Sequence, residues 1–69
     1  MLMGSAFVVQ RRYADGTWKT LMGPMSVDDS GAAWRQLTEE NPDYRYRVVH
    51  IEVLKKIAEG IISDPGIID

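Results

Sequence analysis

An α+β fold is what the sequence predicts: a three-stranded, mainly antiparallel sheet in ββαβ order with strands arranged 2-1-3, one helix on one face, and a short C-terminal helix. Three observations carry it. Two apolar runs, Phe7-Val8-Val9 and Val48-Val49-His50-Ile51, do not alternate; Asp15-Gly16 is a strong turn signal; and one amphipathic segment lies between Ser26 and Asn41. A strand with one wet face alternates apolar and polar residues, whereas a strand covered on both sides reads as an apolar block. With a single convincing long helix, the second cover has to come from the C-terminal segment or from another subunit.

The first strand is expected over Ala6 to Tyr13, and Tyr13-Ala14-Asp15-Gly16-Thr17 matches a type I turn closed by a left-handed glycine. The return strand runs from Thr17 to Met22, with Arg12 opposite Trp18 and Val9 opposite Leu21, and Gly23-Pro24 ends it. Ser26, with Asp29 three residues on, forms a variant capping box for a helix from Val27 to about Glu40. Asp28 and Asp29 suit the positive end of its dipole, and Asn41-Pro42 stops it. Val27, Ser30, Ala33, Trp34 and Leu37 fall on one stripe, with Gly31 allowing close approach to the sheet. Tyr44 to Val53 is aromatic and β-branched, so a third strand is expected there, placed beside the first by a right-handed crossover. Leu54, Ile57, Ala58 and Ile61 then give a short helix from Leu54 to about Ile62.

Sixty-nine residues make one small domain, residues 1–69, with ends at 1–5 and 64–69 expected to be flexible. A core of this size is worth only about 3–5 kcal/mol, so oligomerisation is an expected staple. The chain has no cysteine, which points to a reducing, cytoplasmic compartment and removes disulfides and thiolate metal sites. A net charge of −2 argues against a protein that coats nucleic acid by bulk charge. The first residues lack a positive n-region and a long apolar stretch, so neither export nor a membrane partner is expected.

Charge is segregated along the chain. Arg11, Arg12, Lys19, Arg45 and Arg47 lie on the expected strands, while Asp28, Asp29, Glu39, Glu40 and Asp43 lie in the helical region. Tyr13, Trp18, Tyr44 and Tyr46 interleave with the arginines, a composition that also suits base stacking and phosphate neutralisation. Alternation assigns Val8, Gln10, Arg12, Trp18, Thr20 and Met22 to one face, joined by Tyr44, Tyr46, Val48 and His50, and this face suits the helix. Phe7, Val9, Leu21, Val49 and Ile51 would then form an apolar patch on the other face, with Arg11, Lys19, Arg45 and Arg47 beside it. The single histidine, His50, lacks partners for a triad or a zinc site, and the adjacent helix carboxylates diverge. No catalytic, metal or cofactor residues are expected.

The succession of an apolar strand, the Asp15-Gly16-Thr17-Trp18 hairpin, Gly23-Pro24-Met25-Ser26 leading into an acidic helix, and Tyr46-Arg47-Val48-Val49 resembles small phage and prophage-encoded proteins of unassigned function. It covers about residues 6 to 53. The hairpin and capped helix are also similar to the arm-type DNA-binding domains of phage integrases, in which the third strand precedes the helix; here it follows. The resemblance to phage proteins implies a regulator that binds its target stoichiometrically, in the host cytoplasm. The expected function is therefore a non-enzymatic protein-interaction module, acting as a homodimer through its sheet face or edge on a partner protein. The alternative is a nucleic-acid-binding module in which Arg11, Arg12, Lys19, Arg45 and Arg47 contact phosphates.

Overall fold

The Asp15-Gly16 turn closes the first hairpin, between β1 (Phe7–Arg12) and β2 (Trp18–Met25). Gly16 takes φ +87°, its N–H donates to the Tyr13 carbonyl at 2.9 Å, and Tyr13 N–H donates to the Thr17 carbonyl at 2.8 Å. The Asp15 carboxylate accepts from the Thr17 hydroxyl at 2.6 Å and from the Thr17 amide at 3.0 Å. The hydroxyl bond foremost, then the amide, holds the Asp15 carboxyl below its ordinary range, because both donors favour the charged form. The computed structural model describes residues 5–63. Apart from the exposed Ser5, the ends expected to be flexible lie outside the described residues.

Near the turn the hairpin pairs as expected, with Arg12 opposite Trp18, but the register then changes. Gln10 faces Thr20, Val9 faces Met22 and not Leu21, and Phe7 faces Met25, so β2 carries two bulges. The expected end at Gly23-Pro24 is also corrected, since β2 continues to Met25. Gly23 makes this possible. It sits at φ +112°, and a Cβ there would lie 2.7 Å from the Phe7 carbonyl oxygen and 3.0 Å from Val8 Cα. The two backbones touch where a side chain would otherwise hold them apart.

Ser26 caps α1 (Val27–Glu40), its Oγ accepting from Asp29 N–H at 3.0 Å, with Asp28 and Asp29 in the first turn. At the other end the Asn41 amide N–H donates to the Leu37 carbonyl at 2.9 Å. The chain then enters β3 (Tyr46–His50), which lies against β1 in the sheet order β2-β1-β3, antiparallel on both sides. Val8 faces Val49, Val9 faces Val48, and Gln10 faces Arg47. Directly opposed residues share a face. One face therefore bears Phe7, Val9, Arg11, Tyr46, Val48 and His50, and the other bears Val8, Gln10, Arg12, Arg45, Arg47 and Val49.

This corrects the expected faces of β3 by one residue. A right-handed β2–α1–β3 connection places α1 over the face of Val9 and Tyr46, and not over the face of Trp18 and Thr20. Val9 and Ser30 are fully buried, and the Trp34 indole N–H donates to the Tyr46 carbonyl at 3.0 Å. Ser30 satisfies its own hydroxyl on the Val27 carbonyl at 2.9 Å. Adjacent Val8 and Val9 are both buried, so the central strand is covered on both sides.

The third strand stops earlier than its composition suggests. Ile51 and Val53 belong to α2 (Ile51–Ala58), which begins directly after His50 and packs against β3. His50 is its cap: Nδ1 accepts from Glu52 N–H at 3.0 Å, while Ile51 N–H donates to the Ala6 carbonyl at 2.8 Å. Two of the four amides that a helix start leaves unpaired are thus satisfied. Gly60, expected inside this helix, instead follows its end at φ +79°.

The two glycines in contested positions behave oppositely. Gly31 has open space around it, with nothing within 4 Å of an added Cβ, so the expected close approach does not occur. Gly31→Ala is predicted to raise stability by about 0.5–1 kcal/mol through helix propensity. Gly23→Ala is predicted to lower it by at least about 1–3 kcal/mol through backbone strain and contact with β1. Urea denaturation of the two variants checks both signs.

Candidate functional site

The hairpin end of the sheet gathers all five basic residues singled out in the sequence, in two layers set back to back by strand pairing. On the α1 side, Arg11 and Lys19 are cross-strand partners. The Arg11 guanidinium lies between two tyrosine rings, 4.8 Å from the Tyr13 centroid and 4.4 Å from that of Tyr44, and its Nη2 donates to the Tyr13 hydroxyl at 3.0 Å. Lys19 Nζ stands 5.1 Å from the same Tyr13 ring. The hydroxyls of Tyr13 and then Tyr46 favour the charged form of Arg11 and push its pKa up. Arg11 Nε and the Tyr46 hydroxyl are nevertheless both buried without a completed hydrogen bond of their own.

On the outer face a polar ladder crosses all three strands. Arg47 Nε donates to Gln10 Oε1 at 2.8 Å, and Gln10 Nε2 donates to Thr20 Oγ1 at 3.1 Å. The Arg47 guanidinium stacks 4.2 Å from the Trp18 ring centroid, with Arg12 more loosely above the same ring at 5.8 Å. Gln10 is only 5 % exposed and Arg47 7 %. A buried arginine is tolerable when its donors are matched and an aromatic face lies against its plane. Arg45 is exposed and directly opposite Arg12, whose N–H donates to the Arg45 carbonyl at 2.9 Å. Among the described residues no carboxylate forms an ion pair with Arg11, Arg12, Lys19 or Arg45.

The apolar patch is not assembled as expected. Val9 is wholly buried under α1, Val49 is buried on the opposite face, and Phe7 is half-buried with its ring edge-on to His50 at 5.0 Å. Leu21 and Ile51 keep 39 % of their surface, one at a bulge of β2 and the other in the first turn of α2. These five residues therefore share no single exposed surface. The cause is the one-residue shift of β3 together with the bulge at Leu21, each of which moves side chains to the other face.

Two open hollows adjoin the cluster. One, of about 480 Å³, is walled by Trp34, Thr38, Pro42, Tyr44 and Tyr46; the other, of about 530 Å³, by Arg12, Tyr13 and Ala14. Asp43, Tyr44 and Arg45 line both. Sequence reasoning did not single out Gln10, Trp34 or Asp43 as part of a site. The glutamine directly after the apolar run Phe7-Val8-Val9 was the one available signal, since a buried amide needs partners. Among the described residues, no three histidines or carboxylates gather where they could hold a metal ion. Comparison with protein-family models, curated proteins and solved structures gives no match.

Gln10→Ala removes the acceptor of Arg47 Nε in a buried setting. The variant is predicted to lose about 1.5–3 kcal/mol, the range for a hydrogen bond to a charged group. Gln10→Glu, which keeps an acceptor and adds a charge opposite the guanidinium, should lose less. Chemical denaturation of the two variants, each against wild type, measures the difference.

Proposed function

We propose that this protein is a non-enzymatic binding module that docks stoichiometrically on an acidic surface of a partner protein through the hairpin end of its sheet. One observation carries this reading. Arg11 and Lys19 on one face and Arg12 and Arg45 on the other lie together at that end with no carboxylate in an ion pair with them among the described residues, and the rings of Tyr13 and Tyr44 hold Arg11 in place. Such preordered charges lose little freedom on binding and steer an oppositely charged partner.

Other docking modes receive less support. The open edge of β3 is engaged at the Tyr46 carbonyl by Trp34, and the edge of β2 is interrupted by two bulges and Pro24, all features that discourage strand addition. A homodimer through the expected apolar face would need Val9 and Val49 exposed together, and they are buried on opposite sides. For nucleic acid, the rings of Tyr13, Tyr44 and Trp18 are already stacked by the protein's own cations. A cysteine-free, stoichiometric binder suits the cytoplasm, that of a bacterial host if the resemblance to phage proteins reflects origin.

Affinity capture from the native host, followed by mass spectrometry, tests the proposal with Arg12→Glu/Lys19→Glu as the comparison, since both residues are exposed. Wild type should retain a protein partner that the double variant, still folded by circular dichroism, does not. Retention of the same partner by both would contradict it. Tight binding to short DNA or RNA at low salt, lost steeply as salt rises, would replace it with the nucleic-acid reading.

A further inference from the structure

We infer that the two hollows form one continuous groove for an extended acidic peptide segment carrying an apolar residue. The inference rests on the partner-protein reading above and names the part of the partner that is recognised. Asp43, Tyr44 and Arg45 line both hollows, so the two are adjacent and meet at these three residues, over which an extended segment passes to fill both. Their chemistry differs. Trp34, 40 % exposed, stands with Pro42 and Thr38 around the first half and offers ring surface to an apolar side chain.

The second half is cationic because of strand pairing. Just beyond the end of β3, Arg12 N–H donates to the Arg45 carbonyl, which continues the β1–β3 alternation by one residue and sets two like charges at neighbouring positions of one face. Such a pair is unfavourable on its own, and neither arginine is compensated by a carboxylate ion pair among the described residues. A carboxylate between two guanidinium groups relieves that repulsion and takes charge-assisted hydrogen bonds from both. Asp43, lining both halves, repels a carboxylate at the junction. Acidic residues are therefore accepted at the Arg12 end, and the apolar residue belongs at the Trp34 end, which gives the groove a direction.

The test is a titration of the ¹⁵N-labelled protein with a blocked peptide, Ser-Asp-Glu-Ala-Phe-Ser, followed by heteronuclear NMR. The Trp34 indole N–H and the amides of Arg12, Tyr44 and Arg45 should shift together and saturably. Replacing the peptide's Phe by Ala, or its Asp-Glu by Lys-Lys, should weaken binding about tenfold or more, as should Arg45→Gln in the protein. Asp43→Asn should strengthen it. No shift at millimolar peptide, equal binding of the Lys-Lys peptide, or shifts confined to residues outside the groove would overturn the inference, as would an oligonucleotide occupying these resonances in place of the peptide. Partner capture that still depends on Arg12 and Lys19 while the peptide leaves the groove silent would remove the groove alone. Capture independent of those residues would remove the docking reading itself.

Discussion

The register of β3 on β1 is the constraint on which the rest of this structure depends. With Val8 opposite Val49 and Gln10 opposite Arg47, every second residue of β3 is assigned to a face. Tyr46 and Val48 go under α1 with Val9, and Arg47 goes to the outer face, within reach of Gln10 and Trp18. A slip of one residue would bury the guanidinium beneath the helix and lift Tyr46 into the place of the ladder. The ladder from Thr20 through Gln10 to Arg47 is thus both a consequence of the register and a reason for it, since its buried donors and acceptors match in one alignment only.

The same register divides the sheet into two ends with different cohesion. Away from the hairpin, aliphatic packing dominates, with Val8, Val9 and Val49 buried and the β2 backbone pressed against β1 at Gly23. At the hairpin end, guanidinium groups stacked on Tyr13, Tyr44 and Trp18 replace an aliphatic core. Each such contact is worth roughly 0.5–2 kcal/mol depending on desolvation, comparable to burying a methylene or two. The exchange has a functional side. A valine core is closed to solvent, whereas a stacked arginine stabilises the fold through its plane and still presents charge at its rim.

How much could be read from the sequence follows from which signals are local. The left-handed glycine at position 16, the Ser26 cap, the limits of α1 and the strand order 2-1-3 all appear as expected, because a turn, a cap and a right-handed crossover are decided by a few adjacent residues or by a general handedness. The faces of β3 were not legible. Phe7-Val8-Val9 and Val48-Val49 are apolar at successive positions, so the runs that announce a doubly covered sheet carry no phase with which to align one strand on another. Bulges at Leu21 and Gly23 shift the return strand without any change in composition, and His50 ends β3 through a side-chain cap inside what looks like a continuous β-branched run. The basic and aromatic residues of the site were visible as types. Their division into an Arg11 layer and an Arg47 layer depended on pairing across 37 positions of sequence.

Cross-strand nuclear Overhauser effects between Hα protons test the central claim most directly. Hα protons approach closely across non-hydrogen-bonded antiparallel pairs. The register places Val9 with Val48, Arg11 with Tyr46 and Phe7 with His50 in such pairs. Strong Hα–Hα effects at those three pairs, together with side-chain contacts from Trp18 to the Arg47 stem, are the expected result. Hα–Hα effects from Val9 to Arg47 and from Phe7 to Val49, the pattern of a one-residue slip of β3, would contradict the account of both the fold and the site.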